Sequence, residues 1–380
     1  MAITKIDSSM YEDVSGANNL VKLDANAKIP AGAATNLTNL PGVIKSSSDP
    51  TISSNKAVGT QWANTTSGEL YVCTDATAGA NVWTNVGAGT GNVDPFSWGG
   101  ERGLWAGGHA TTNTIDYAAI ATTGNAVDFG DLTAARYGIS QGVSNVARIC
   151  WAGGSGENII DYVTVSTTGN AVDFGDRTVS KSYLGGASSG TRGLFCGGES
   201  ATNVIDYITI ATPGNAIDFG DLSATRERMK GVSNGTRVCW GGGYNPGTYN
   251  IIEYSVFATL GNVTDFGDLT VARYDPGACS DLTRGVFGGG ADSGGTEYNM
   301  IDYVTIATTG NATDFGDLAG SGNIANDGAS NGARGVFGGG EEPPSAVNRM
   351  QYVTIATTGN TTDFGDLTVA RRMLGAGSGT

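Results

Sequence analysis

The 380-residue chain contains a single histidine, His109, and this scarcity limits its chemistry. One imidazole cannot serve a catalytic triad together with a separate proton relay, and it cannot build a zinc site without other closely spaced ligands. No Gly-x-Ser-x-Gly nucleophile elbow is present, and 36 acidic residues produce carboxylate pairs by chance. The sequence therefore predicts no catalytic residues, no metal site and no cofactor, and we do not expect an enzyme.

Basic residues are also few: 21 Lys and Arg oppose 36 Asp and Glu, which gives a net charge of −15. Nucleic acids and anionic membranes bind basic surfaces, so neither is an expected partner. The chain has no apolar run long enough to span a bilayer, and its N-terminus lacks the apolar segment of a signal peptide. We therefore expect neither membrane insertion nor export by the ordinary secretory route.

Cysteines are scarce and show no pairing in the sequence. The five of them lie far apart, at Cys73, Cys150, Cys196, Cys239 and Cys279. Their odd number and long spacings fit neither closely paired metal ligands nor a disulfide framework. We interpret them as small buried apolar residues.

Glycine, by contrast, is abundant, with 61 residues, and much of it belongs to a repeat. The core of the repeat, Asp-Phe-Gly-Asp, begins at Asp128, Asp173, Asp218, Asp265, Asp314 and Asp363. The spacings are 45, 45, 47, 49 and 49 residues. A period of this length with strand-like content is typical of a propeller or an array.

Each repeat contains four short segments with the character of β-strands. In one repeat, residues 185–190 are small, 191–198 are apolar and end in paired glycines, 203–212 alternate β-branched residues, and 216–222 carry the core. Four strands in each of six units predict an all-β fold, namely a six-bladed β-propeller.

The phase of the repeat predicts how the fold closes. The first unit begins directly at Arg102 without a small-residue strand, whereas the chain ends with such a strand, over residues 373–380. We expect this C-terminal strand to complete the first unit and to close the ring.

The residues before the repeats require a separate interpretation. Residues 1–45 have too few apolar side chains for a core, so we expect an extended attachment and oligomerisation segment; the alternative is a disordered tail. Over residues 46–94 we expect a small β module followed by a Gly-rich linker. Its core should consist of Trp62, Tyr71, Val72 and Trp83. The propeller should occupy residues 95–380.

Residues 101–380 resemble kelch repeats. The resemblance is carried by the paired glycines after the second strand, the tyrosine strand, the aromatic fourth strand and an arginine near the junction between units. It implies a kelch-like propeller. The tryptophan usual in the fourth strand of kelch units is phenylalanine here, as at Phe129 and Phe315.

Two N-terminal segments are similar to segments of bacteriophage tail-fibre proteins. They are residues 20–30 (Leu-Val-Lys-Leu-Asp-Ala-Asn-Ala-Lys-Ile-Pro) and residues 59–75. The repeated Tyr-Val-Thr-Ile-Ala-Thr-Thr-Gly-Asn also resembles arrays in structural proteins of tailed phages. These resemblances imply a virion protein that is assembled in the host cytoplasm, attaches to tail or baseplate proteins through its N-terminal region and forms a homotrimer.

Aspartate also recurs directly before the repeat tyrosine. It stands there in four units, at Asp116, Asp161, Asp206 and Asp302, with Glu253 and Gln351 in the other two. Calcium requires several oxygens converging from one short loop, and the Asp-x-Gly-Asp pair supplies two carboxylates at most. We interpret the repeated aspartates as turn caps or as partners of arginines near the junctions. Those arginines are Arg136, Arg226, Arg273 and Arg371.

The units differ most in the loops after the paired glycines, which lengthen to residues 244–250, 291–299 and 341–348. These loops and the junctions should open on one face, and long variable loops on a rigid scaffold often carry recognition. The candidate binding residues are Tyr244, Asn245, Tyr249, Asp292, Glu297, Tyr298, Glu341 and Glu342. The tyrosines can stack on sugar faces. The alternative is that these loops are tolerated insertions.

Together these observations predict a phage tail fibre whose propeller contacts a glycan or an outer-membrane protein on the host surface. One alternative is a structural or decorating virion protein without adhesive function. The other is a carbohydrate-cleaving propeller.

Overall fold

The computed structural model describes residues 43–66, 69–86, 100–109, 112–200, 202–320 and 322–379. These residues form strands, turns and bends, which confirms the predicted all-β fold, and no helix able to cross a membrane occurs among them. The chain divides into two compact units, whose described parts are residues 43–86 and 100–379. The predicted attachment segment up to residue 42 and the predicted linker lie outside the described residues.

The first unit is one four-stranded sheet in the order β1 (Val43–Ser46), β2 (Gln61–Asn64), β3 (Leu70–Asp75) and β4 (Val82–Asn85). β2, β3 and β4 are the predicted strands and pair antiparallel. β1, which the sequence pattern does not predict, pairs parallel with β2 and lies across the predicted boundary at residue 45.

The core of the first unit is small and aromatic. Tyr71, Cys73 and Trp83 are fully buried, and Trp62 packs against Trp83 with ring centroids 5.8 Å apart. The expectation that Val72 belongs to this core was wrong. Alternate residues of a strand point to opposite faces, so burial of Tyr71 and Cys73 places Val72 on the other face of β3.

The second unit consists of six four-stranded antiparallel sheets. The first begins with β5 (Arg102–Ala106), β6 (Thr114–Ala119) and β7 (Val127–Asp131). The second comprises β8 (Val143–Ser144), β9 (Arg148–Ala152), β10 (Ile159–Thr164) and β11 (Val172–Asp176). The third comprises β12 (Gly185–Ser188), β13 (Arg192–Cys196), β14 (Val204–Thr209) and β15 (Ile217–Asp221).

The remaining sheets follow the same plan. The fourth comprises β16 (Lys230–Ser233), β17 (Arg237–Gly241), β18 (Ile251–Val256) and β19 (Thr264–Asp268). The fifth comprises β20 (Gly277–Ser280), β21 (Arg284–Gly288), β22 (Met300–Thr305) and β23 (Thr313–Asp317). The sixth comprises β24 (Asp327–Ser330) and β25 (Arg334–Gly338), then, after a hairpin of β26 (Glu341–Glu342) and β27 (Ser345–Ala346), β28 (Arg349–Thr354) and β29 (Thr362–Asp366).

The end of the chain completes the first sheet. β30 (Gly375–Gly379) pairs antiparallel with β5, so that Gly375 lies opposite Ala106 and Gly379 opposite Arg102. The order in this sheet is β30-β5-β6-β7. The phase of the repeat predicted this pairing.

Each sheet contacts the next, and the sixth contacts the first. The first strands touch in the order β8, β12, β16, β20, β24 and β30, and β30 also touches β8. At each junction one residue donates its backbone N–H to the carbonyl of its counterpart in the preceding junction, with N···O distances of 2.6–3.0 Å. The six residues are Gly138, Tyr183, Arg228, Asp275, Ala325 and Met373, and Gly138 donates to Met373.

The Gly-Asn turn after each third strand covers the outer edge of the preceding sheet. The Gly169 N–H donates to the Phe129 carbonyl at 2.8 Å, and the Asp131 N–H donates to Asn170 Oδ1 at 3.1 Å. The same two bonds recur in every pair of sheets, including the pair formed by the sixth sheet and the first. The turn therefore occupies edge groups that would otherwise be free to pair with another chain.

This contact explains the glycine of each Asp-Phe-Gly-Asp core. Gly130 has a φ of +148°, and a Cβ placed on it would lie 2.4 Å from the Gly169 carbonyl oxygen. The other five glycines have equally close neighbours and similar φ angles. A side chain would both strain the backbone and push the neighbouring turn away.

The aspartates before the repeat tyrosines are buried partners of arginines, as we interpreted them. The predicted arginines form the pairs Arg136–Asp161, Arg226–Glu253, Arg273–Asp302 and Arg371–Asp116, each between successive sheets. At the second junction Arg177, which we did not predict, pairs with Asp206 at 2.9 Å. At the fifth junction the uncharged Asn323 and Gln351 stand at these two positions.

The core of the second unit lies between the sheets. Five clusters of buried side chains each combine two successive sheets, and a sixth joins Trp105 of the first sheet to Val336 and Phe364 of the sixth. Burying a large apolar side chain contributes about 1.5–3 kcal/mol. All five cysteines are buried, as expected, and burial raises the pKa of Cys196 to about 12.

Candidate functional site

The loops after the second strands and the junctions lie on one side of the second unit, which we call the loop face. Each loop donates a backbone N–H to the carbonyl of a junction residue, with N···O distances of 2.8–3.0 Å. The pairs are His109–Arg372, Ser155–Tyr137, Glu199–Ser182, Tyr244–Glu227, Ala291–Tyr274 and Glu341–Ile324. The predicted placement of loops and junctions on a common face is therefore confirmed.

In the 244–250 loop, two of the three predicted residues hold the loop itself. The Tyr249 hydroxyl donates to the Asn245 carbonyl at 2.7 Å, and Asn245 Nδ2 donates to Thr225 Oγ1 at 3.0 Å. Tyr244 differs from them. Its ring packs edge-to-face on Tyr274, with centroids 5.6 Å apart.

In the 291–299 loop, Asp292 organises a turn. Its Oδ1 accepts from the backbone N–H of Thr296 at 2.8 Å and of Gly294 at 2.9 Å, and its Oδ2 accepts from the Tyr298 hydroxyl at 2.9 Å. These bonds, led by that from Thr296, hold the pKa of Asp292 below its ordinary value. The side chains of the two predicted residues, Asp292 and Tyr298, are therefore hydrogen-bonded within the loop.

In the 341–348 loop, both glutamates are in ion pairs. Glu341 pairs with Arg372, and Glu342 pairs with Arg349. Glu297 approaches Glu342 from the preceding loop. Its pKa is raised, first by burial and then by the charge of Glu342. Of the eight predicted residues, six have side chains in the hydrogen bonds or ion pairs described above. The side chains of Tyr244 and Glu297 take no part in these bonds.

The loop face also carries a group of side chains of which only Tyr244 was predicted from the sequence as a binding residue. We call it the aromatic arc, and it consists of His109, Tyr137, Tyr183, Arg228, Tyr274 and Tyr244. His109 is exposed, and the four tyrosines are partly exposed. The ring centroids of His109 and Tyr137 are 6.3 Å apart, and those of Tyr137 and Tyr183 are 6.2 Å apart.

Arg228 joins the two halves of the arc. Its guanidinium carbon lies 3.9 Å from the ring centroid of Tyr183 and 5.6 Å from that of Tyr274. The guanidinium donates to Asp275 at 2.6 Å and to Glu227 at 3.2 Å. Burial, the largest single influence, lowers the pKa of Arg228, but Asp275, Tyr183 and Glu227 together raise it above its ordinary value. Arg228 is therefore a fixed, charged support between two rings.

The tyrosine hydroxyls of the arc differ from those of the predicted loops. Those of Tyr249 and Tyr298 are bonded within their own loops. Within the described parts of the chain, the hydroxyls of Tyr137, Tyr183, Tyr244 and Tyr274 have no hydrogen-bond partner. The arc thus presents rings, hydroxyl donors and hydroxyl acceptors to a ligand.

The position of two arc residues in the repeat explains why the sequence did not reveal them. Tyr183 and Arg228 occupy the junction position with a left-handed backbone, with φ of +62° and +59°, where the junction between the first two sheets of the second unit has Gly138 at +65°. Of these three residues, only the glycine indicates a left-handed conformation in the sequence. The available signal was the unequal filling of one repeat position, which holds Gly, Tyr, Arg, Asp, Ala and Met in turn.

The described residues contain no group of three or more His, Cys, Asp or Glu side chains able to hold a metal ion. The chain matches none of the protein-family models and none of the curated proteins with which it was compared. The kelch and tail-fibre resemblances therefore stay predictions, and the candidate site depends on its geometry.

Proposed function

We propose that the second unit is a closed, six-bladed β-propeller of the kelch-like kind. Three sets of contacts support the proposal, namely those of the first strands, the junction residues and the Gly-Asn turns. Each set includes contacts between the sixth sheet and the first. The end sheets of an open array would lack such neighbours.

The function that the site supports best is adhesion. We propose a tail-fibre protein of a phage virion, without enzymatic activity, that binds the host cell surface through the loop face. Its N-terminal region would attach to tail or baseplate proteins, and three chains would form the fibre; both points depend on the tail-fibre resemblance.

The aromatic arc is the observation that carries the adhesive role. Partly exposed tyrosines are common at binding surfaces because each offers a large apolar area and a polar tip at a low cost in side-chain entropy. Here four of them, with free hydroxyls, lie on a scaffold held by repeated inter-sheet contacts. Such a surface needs little ordering when it binds.

The test uses the purified full chain and intact cells of candidate host strains. We expect a solution mass near three times 38.6 kDa, saturable binding to the cells of at least one strain, and competition with adsorption of the phage particles. The adhesive role would be wrong if the chain is present in the phage particles but the purified protein binds none of the strains that adsorb those particles. A purely structural role would then take its place.

A further inference from the structure

The chemistry of the aromatic arc indicates what kind of molecule it binds, if the adhesive function proposed above is correct. Tyrosine rings present faces that pack against the C–H faces of sugar rings, and the hydroxyls beside them exchange hydrogen bonds with sugar hydroxyls. Tyr137, Tyr183, Tyr244 and Tyr274 offer both features on one surface. A glycan matches this alternation of apolar and hydroxyl groups.

The extent of the arc indicates a chain of sugars and not one sugar. The arc crosses four successive junctions between sheets, from Tyr137 at the first to Tyr274 at the fourth. Adjacent rings at its first end, those of Tyr137 and Tyr183, are 6.2 Å apart, a step comparable with that between successive rings in an extended glycan. Several consecutive sugars can therefore contact the arc together.

The charges around the arc disfavour an acidic glycan. Asp275 and Glu227 already accept the hydrogen bonds of Arg228, so this guanidinium is engaged and its charge is balanced. The charges of Asp275 and Glu199 also act on Tyr183, in the direction opposite to the larger influence of Arg228. Lys181 precedes Tyr183 by two residues and adds one positive charge, so acidic groups outnumber basic ones along this stretch. A carboxylated or phosphorylated glycan would meet net repulsion here.

We infer that the aromatic arc binds an uncharged polysaccharide of the host surface across several successive sugar residues. Tyr137 and the face of the Tyr183 ring that Arg228 does not cover stack against the chain, and the free hydroxyls fix its orientation. Because the contacts are apolar packing and neutral hydrogen bonds, binding should depend weakly on salt. Affinity should rise with chain length until the arc is filled.

The test separates polysaccharide extracted from a bound host strain into uncharged and acidic fractions on an anion exchanger. Each fraction is titrated into the full-length protein and used to compete with cell binding. We expect the uncharged fraction to bind and to compete, with longer fragments binding more tightly and with little change between low and high salt. Competition by the acidic fraction alone would overturn the inference.

Two matched variants assign the binding to the arc. Tyr183→Phe removes a free hydroxyl, whereas Tyr249→Phe removes one that is bonded to the Asn245 carbonyl. We expect Tyr183→Phe to weaken binding of the uncharged fraction by about fivefold, as for one lost hydrogen bond, and Tyr249→Phe to leave it unchanged. Equal affinities of both variants and the parent protein would contradict the assignment.

The inference and the proposed function fail in different ways. If Tyr137→Ala/Tyr183→Ala abolishes cell binding but neither polysaccharide fraction competes, the adhesive function stands and the glycan inference is wrong. If the double variant binds cells as well as the parent protein does, the loop face is not the adhesive surface.

Discussion

The second unit uses its six repeats differently between the sheets and on the loop face. Between the sheets, the same hydrogen bonds recur in every pair of neighbours, and side chains such as Asn170 and Phe129 are the same in each. On the loop face, the corresponding positions hold different residues, such as Gly138, Tyr183 and Arg228. The recurring residues build the scaffold, and the residues that differ between repeats form the loop face on which we propose binding.

The largest effect should come from breaking a recurring contact between sheets. Ala at Gly220, with a φ of +151°, would place a Cβ 2.3 Å from the Gly261 carbonyl oxygen. We expect Gly220→Ala to lower the free energy of unfolding by more than about 3 kcal/mol, measured by urea denaturation.

Gly214 provides the matched control. Its φ of +158° is similar, but no atom would lie within 4 Å of its Cβ. Gly214→Ala should therefore cost clearly less, since it adds backbone strain without the collision. Equal losses for the two variants would show that the inter-sheet contact does not require the glycine.

The next effect tests the buried ion pairs. Asp302→Ala would leave the Arg273 guanidinium, which is fully buried, without its carboxylate. We expect a loss of about 3 kcal/mol in the free energy of unfolding, since one charge is then unpaired.

The fifth junction supplies the comparison for this variant. There Asn323 and Gln351 occupy the positions of the arginine and the aspartate. The double variant Arg273→Asn/Asp302→Gln should be more stable than Asp302→Ala because no buried charge is left. A double variant that unfolds as readily as the single one would contradict this explanation.

A smaller effect concerns Lys230 and Asp327, which begin the first strands of the fourth and sixth sheets, where three other sheets have glycine. Lys230 Nζ lies 3.1 Å from Asp327 Oδ2. Burial raises the pKa of Asp327 above its ordinary 3.8, although Lys230 acts in the opposite direction. The folded state therefore holds this proton more tightly than the unfolded state. The resulting stability is fully present below pH 3.8 and is lost as the pH rises through the pKa of the folded state.

This linkage is measured by comparing the parent protein with Asp327→Asn in urea between pH 3 and pH 7. Relative to the variant, the parent protein should lose stability as the pH rises. A difference in the free energy of unfolding that stays constant, or that grows in favour of the parent protein, would show that the carboxyl is not buried as described.

The smallest effect on stability should come from the arc itself. Tyr183 has a φ of +62°, a conformation that glycine adopts more readily. Tyr183→Gly removes the ring contacts with Tyr137 and Arg228 but also relieves this strain. We expect the free energy of unfolding to change by less than about 1 kcal/mol while binding to host cells is lost.

Much of the fold could be predicted because its signals are local and recur. The period, the four strand-like segments in each unit and the surplus strand at residues 373–380 lead to six four-stranded sheets and to the pairing of β30 with β5. The pairing of Arg273 with Asp302 could also be predicted, because arginine and aspartate recur at fixed positions of the repeat. A pattern that is weak in one unit becomes clear when most units share it.

The remaining features depend on contacts between segments far apart in the chain. The Gly-Asn turn is a local turn signal, but its contact with the neighbouring edge becomes visible only when the sheets are placed side by side. The arc is harder still, since Tyr244 and Tyr274 meet only in the fold. The predicted loop residues Asp292 and Tyr298 are hydrogen-bonded to each other, a contact that the sequence did not show, because long polar loops need internal hydrogen bonds to hold their shape.

The most direct test of the account measures stability and cell binding on the same two proteins, the full chain and its Tyr137→Ala/Tyr183→Ala variant. We predict thermal midpoints within about 2 °C of each other and at least about a tenfold loss of affinity for host cells in the variant. Unchanged cell binding, or a loss that follows a matching fall in the midpoint, would contradict the division between a repeated scaffold and a non-repeated binding surface.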